Sequence, residues 1–163
     1  NKGWKPKKME EYMNKIEKRL TELGIKLPEV PKPVANYIPA KRTGNLIYVA
    51  GQIPVENGII KKGKLGKDLN LEESKYATKL CAIGCLAAIK TLCPLDKVTS
   101  IVAMHGLVNS TSENTEQADA MNGASDFVVE VFGEIGKHTR TAVGVSVPHN
   151  IAASVYMVAE VEE

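Results

Sequence analysis

The chain has 163 residues, 44% hydrophobic and 25% charged, with a formal net charge of +2. That length and composition suit one globular domain with a single core, and the near-neutral balance gives no electrostatic reason to expect a nucleic-acid partner. The longest apolar stretch, Leu80 to Ile89, is interrupted by Gly84 and too short to span a bilayer, so no membrane association is expected.

The opening "NKGWKPKKMEEY" is basic with no apolar run behind it, so no secretory signal is read there and the expected compartment is cytoplasmic. Met9, Tyr12, Met13, Ile16, Leu20 and Leu23 recur at three- and four-residue spacing, which predicts an amphipathic helix over 8–23, stopped by Gly24. The prolines of "IKLPEVPKPV" hold the following segment extended. Residues 1–35 are therefore expected to form an N-terminal helix and connector on a single domain covering 1–163. "NYIPAKRTGNLIYVAGQIP" predicts two short strands around a turn at Thr43-Gly44-Asn45, the second over 46–50.

After a Gly- and Lys-rich loop at 63–67, helix formers run from Leu71 to Leu92 with too few polar residues for an exposed helix, so burial against a sheet is expected. Cys81, Cys85 and Cys93 lack paired spacing, and the three histidines are scattered. The cysteines are read as small buried hydrophobes, with no disulfide, metal or cofactor expected. A strand over 98–108, a polar loop over 109–115 and a third helix follow, the helix striped by Ala120, Met121, Ala124, Phe127, Val128, Val131 and Phe132 and capped by Gly133.

"KHTRTAVGVSVPHN" reads as a strand with Val143, Val145 and Val147 on a core face and small Ala142, Gly144 and Ser146 on the other. Arg140 heads the small row, where nothing bulky is expected above the sheet; that row reads as a floor for a ligand. The alternative is an arginine bonded to carbonyls and acids of a neighbouring chain. A turn at 148–150 and a strand over 152–161 close the chain. The order α, ββ, α, β, α, ββ, with hairpins at each end, predicts an α+β domain: one mixed sheet with helices on one face. The uncovered face predicts an oligomer.

The stretches "LGIKLPEVPKPVANYIP", "GNLIYVAGQIP", "GKLGKDLNLEES", "NGASDFVVEVFGEIGKHTRTAVGV" and "VPHNIAASVYMVAEV" resemble the YjgF/Rid family, also called endoribonuclease L-PSP or UK114-like, in the subgroup with an N-terminal helical extension. The resemblance covers Ile16 to Val161. It implies a chorismate-mutase-like fold, a homotrimer packed through its sheets, and ligand clefts between subunits. In deaminating members a 2-imino or 2-enamino acid occupies the cleft. Arg140 matches the arginine that grips its carboxylate, a pairing suited to a planar fork of N–H donors. Asn122 matches a cleft-facing asparagine, Tyr37 an aromatic wall, and Gly51 a glycine whose backbone approaches the ligand. Without the resemblance, Tyr37 would read as a strand residue with its hydroxyl in water, Asn122 as an outward polar residue, and Gly51 as a strand-end glycine.

The chain departs from the family pattern at Ser154, where a glutamate that positions the attacking water is usual, six residues after Pro148. A serine hydroxyl can hold water but does not titrate near neutrality. Tyr156 is no replacement and Glu160 lies too far along. Ala50 stands where a serine is common, and Ala142 where a small polar or thiol side chain is frequent. The stretch from Arg140 to Pro148 is one residue short, which bears on the register of the last hairpin. The expectation is a homotrimer binding a small carboxylate-bearing metabolite, with weak deamination. The rivals are a non-catalytic regulatory module and an endoribonuclease or translation inhibitor.

Overall fold

A computed structural model describes residues 15–163. Helix α1 covers Lys15–Glu22, with Ile16 and Leu20 buried; the earlier part of the expected helix, 8–14, lies outside the described residues. Gly24 turns the chain at φ 72°, and the Ile25 N–H donates to the Leu20 carbonyl at 2.8 Å. The start of α1 is held by Asp96, whose Oδ1 accepts the Ile16 N–H at 3.0 Å.

Five strands build one mixed sheet: β1 (Ala40–Thr43), β2 (Leu46–Val49), β5 (Val98–Asn109), β6 (Thr139–Val145) and β7 (Ala153–Val161). Their order is β1-β2-β7-β5-β6, antiparallel throughout except for the parallel β5–β6 pair. A parallel neighbour needs a crossover rather than a tight turn. Helix α3 (Gln117–Phe132) supplies it, ending at Gly133 with φ 67°. Helix α2 (Leu71–Lys90) starts from a capping box in which Asn70 Oδ1 accepts the Glu73 N–H at 2.9 Å.

Both long helices pack on one sheet face, as the α+β reading expects. Between them and the sheet lie Ile47, Leu86, Ile89, Ile101, Met104, Met121 and Met157, all fully buried. Each such side chain stabilises the fold by about 1.5–3 kcal/mol relative to an exposed one. Cys81 and Cys85 belong to this core as free thiols, and burial pushes both thiols well above their ordinary range.

Two features differ from the sequence reading. A small hairpin, β3 (Val55–Glu56) with β4 (Ile59–Ile60), was not expected. Its signal is Asn57-Gly58, which turn at φ 51° and 77°, the pair of left-handed residues a two-residue hairpin needs. The second difference is that β6 and β7 form no hairpin, because β5 lies between them. Their connection is captured instead by the segment after β4. Gly63 N–H donates to the Asn150 carbonyl at 2.8 Å, and Ala152 N–H to the Lys61 carbonyl at 3.0 Å. The left-handed His149 and Asn150, at φ 60° and 57°, bend the chain toward those partners.

Candidate functional site

Strand register decides which way each residue of β6 faces. Arg140 pairs with Met104, Ala142 with Gly106 and Gly144 with Val108. Met104 and Val108 are fully buried under the helices, so Arg140, Ala142 and Gly144 share the helix-covered face. This reverses the expected assignment of faces. Val143 pairs with Leu107 on the helix-free face and is 43% exposed. The small row is not an open floor within the chain: a Cβ on Gly144 would lie 2.5 Å from Ser110 Oγ and 2.6 Å from Gln117 Nε2. One on Gly106 would lie 2.4 Å from Met121 Sδ. These residues are small because α3 passes close above them.

Arg140 stands at the entrance of that row, beside α3. Its Nη1 donates to Asn122 Oδ1 at 2.7 Å and to Ser125 Oγ at 3.3 Å. Asn122 and Ser125 are three apart on α3 and so share a face, which is how one guanidinium reaches both. Arg140 is exposed, and among the described residues no carboxylate lies within ion-pair distance of it. Its Nε and Nη2 make no hydrogen bond among those residues. The arrangement leaves a directed fork of donors with its charge uncompensated.

The sequence reading missed two neighbours. His138 Nδ1 lies 2.7 Å from the Gly136 carbonyl and Nε2 lies 2.9 Å from Ser125 Oγ. Both were legible in principle: Ser125 follows Asn122 at helical spacing, and His138 precedes Arg140 by two on the same strand approach.

The other expected site residues gather elsewhere. Tyr37, Pro31, Pro39, Ala50, Gly51 and Gln52 help line a cavity of about 250 Å³ beside the β1–β2 hairpin. Tyr37 is exposed there. Gly51 abuts Ser154: a Cβ at Gly51 would sit 2.8 Å from the Ser154 hydroxyl. Ser154 pairs with Leu107, so it lies on the helix-free face, opposite Arg140 and two strands away from β6. One chain therefore brings together Arg140, Asn122 and Ala142 at the β6 edge, and Tyr37, Gly51 and Ser154 toward the other edge. It does not bring the two sets together.

Comparison with known proteins agrees with this architecture. Residues 17–161 match the model of the YjgF/chorismate mutase-like family, which carries a provisional endoribonuclease label. Protein TCP17 of Trypanosoma cruzi is 38% identical over 135 residues, 81% of this chain and 84% of that protein. Among solved structures, the protein Atu1372 of unknown function from Agrobacterium tumefaciens is 38% identical, with a TM-score of 0.87 over 94% of this chain and 96% of its own. A Shewanella oneidensis protein, also under a provisional endoribonuclease label, is 33% identical, with a TM-score of 0.86 over 90% and 99%. The chain belongs to the YjgF/chorismate mutase-like family.

Proposed function

We propose that the protein is a homotrimer that binds a small carboxylate-bearing metabolite through Arg140 in clefts between its subunits. The observation that carries this reading is the Arg140 guanidinium itself, aimed by Asn122 at 2.7 Å and unneutralised by any carboxylate among the described residues. A planar fork held this way is pre-organised for a bidentate partner. The placement of the two half-sites supports association: a cleft with both Arg140 and Tyr37 in its walls needs the β6 edge of one copy beside the Tyr37–Gly51 wall of another. The helix-free face supports it too, since Tyr48, Val143 and Tyr156 are exposed there.

The chemistry assigned to this cleft is weak hydrolysis of a 2-imino or 2-enamino acid. Arg140 holds the carboxylate, a water held by Ser154 of the partner subunit attacks the carbon bearing nitrogen, and ammonia leaves with the keto acid as product. With a hydroxyl in place of a carboxylate, the reaction lacks the ~10²–10⁴-fold that a general acid–base group contributes. Absence of ammonia release from an imino acid generated in situ, with ligand binding intact, would favour the regulatory module. RNA cleavage lost in Arg140→Ala would favour the ribonuclease.

The test of the binding reading is a titration with 2-ketobutyrate and benzoate against their amides. The acids should bind and the amides bind far less, and Arg140→Ala should remove the preference, at a cost of about 2–5 kcal/mol if the pair is buried in the assembled cleft. Equal binding of acid and amide would assign Arg140 to structure.

A further inference from the structure

The group of Ser125, His138 and Arg140 has an internal order that anion binding alone does not require. The Gly136 carbonyl can only accept, so His138 Nδ1, 2.7 Å away, carries the hydrogen. In the neutral ring Nε2 is then the acceptor, and its neighbour at 2.9 Å is the Ser125 hydroxyl. Ser125 therefore donates its proton toward His138. On its other side it accepts from Arg140 Nη1 at 3.3 Å, a cation that favours an oxygen gaining negative charge.

A hydroxyl hydrogen-bonded to an imidazole, with the imidazole oriented by a third group, is the arrangement of an activated nucleophile. Here a backbone carbonyl does the orienting. Ser125 and His138 are both half-buried, so the pair is neither sealed in the core nor freely solvated.

We propose that Ser125 is a nucleophile, with His138 as its base, and that the pair gives the protein an acyl-transfer activity on small carboxylate-bearing esters or thioesters. Ser125 Oγ attacks the acyl carbon and its proton passes to His138 Nε2, while the carbonyl electron pair moves onto oxygen. When that oxyanion collapses, the bond to the leaving group breaks, and the alcohol or thiol departs with the proton from His138. Water then attacks the acyl-serine, again giving its proton to His138. The acid leaves and Ser125 Oγ recovers a proton. Arg140 Nη1, 3.3 Å from Oγ, favours negative charge on that oxygen as its proton leaves for His138.

The dyad stands on its own geometry; the substrate class rests on the reading of Arg140 as a carboxylate anchor. An acyl carbon a few bonds from a carboxylate gripped by Nε and Nη2 falls within reach of Ser125, which sets the size of the substrate.

The test is reaction of the intact protein with a fluorophosphonate, which forms an Oγ–phosphorus bond and expels fluoride, with the site located by peptide mass. The expected result is one adduct per chain on Ser125, absent from Ser125→Ala and formed at least ~100-fold more slowly in His138→Gln, the range for loss of a base. Benzoate should protect Ser125 while benzamide does not. Ser125→Cys keeps the volume of the side chain and provides a folding control; its thiol should be alkylated faster with His138 present than in the double variant with His138→Gln. No adduct on Ser125, or an equal rate without His138, would overturn the dyad. An adduct on Ser125 that benzoate fails to protect would leave the dyad standing and overturn the carboxylate anchor.

Discussion

At the scale of the residue, the central fact is a charge that is directed but, among the described residues, not neutralised. Asn122 offers Arg140 a neutral oxygen at 2.7 Å. Replacing it by Asp puts an internal carboxylate in the same place. A unit charge at 4 Å is worth about 4 kcal/mol at an effective dielectric of 20. Asn122→Asp should therefore weaken binding of 2-ketobutyrate at least tenfold while leaving the fold intact, as measured by calorimetric titration alongside circular dichroism. Unchanged affinity would mean that the ligand does not meet this guanidinium. The resemblance singled out Arg140 and Asn122 separately, but their bond across 18 residues of sequence was not read from it, and Ser125 and His138 were passed over although their spacing was there to see. The smallness of Ala142 and Gly144 was legible as well, but its cause was misread. Period-2 alternation says which residues share a face and not which face the helices take.

Elements meet in this fold at closer range than their sequences suggest. A Cβ on Gly123 would lie 1.9 Å from the Lys75 carbonyl, a backbone atom of α2 that cannot swing aside. Gly123→Ala should force α2 and α3 apart at a cost of about 1–3 kcal/mol. It should also weaken carboxylate binding, because Asn122 and Ser125 flank that position on α3. Denaturant titration and ligand titration would check the two effects.

The docking of α1 supplies a pH dependence. Burial raises the Asp96 carboxyl above its ordinary value, against a smaller lowering by the Ile16 N–H. A carboxyl whose folded value is raised favours the folded state when protonated. Its stabilising share is present below the unfolded value, near ~3.9, and is lost as pH rises through the folded one. Asp96→Asn keeps an acceptor for Ile16 and removes the buried charge, so its melting temperature at pH 7 should equal or exceed that of the unmodified protein, with the advantage gone in acid. A lower value at pH 7 would show that the charge itself is needed to hold α1. The sequence pattern found α2, α3, β5 and β7 within a residue or two, because each carries a long run of one periodicity. It failed at the β3–β4 hairpin, whose two-residue strands are too short to show a period. It failed again at the β6–β7 connection, where pairing is decided by distant partners at Lys61 and Gly63 rather than by the local turn.

On the scale of the whole molecule, the described residues cover one sheet face and leave the other open. The open face carries Tyr48, Val143 and Tyr156, and Tyr156 stacks on His105 with ring centroids 4.6 Å apart. Introducing like charges there, as Tyr48→Glu with Tyr156→Glu, should convert the proposed trimer to monomers in light scattering at micromolar concentration. Carboxylate binding should be lost with it, since the Tyr37–Gly51 wall would no longer face Arg140. A variant that stays trimeric would place the interface elsewhere, and an unmodified protein that is monomeric would remove the cleft altogether.

The measurement that bears most directly on the account is a crystal structure grown with 2-ketobutyrate, which reports assembly and ligand together. It should show three copies joined through their sheets. The ligand carboxylate should lie against Arg140 Nε and Nη2, with Tyr37 of the partner subunit forming the opposite wall. An acidic side chain or backbone carbonyls of a neighbouring copy filling that fork, with the ligand absent or bound elsewhere, would contradict the account and make Arg140 a structural residue of the assembly.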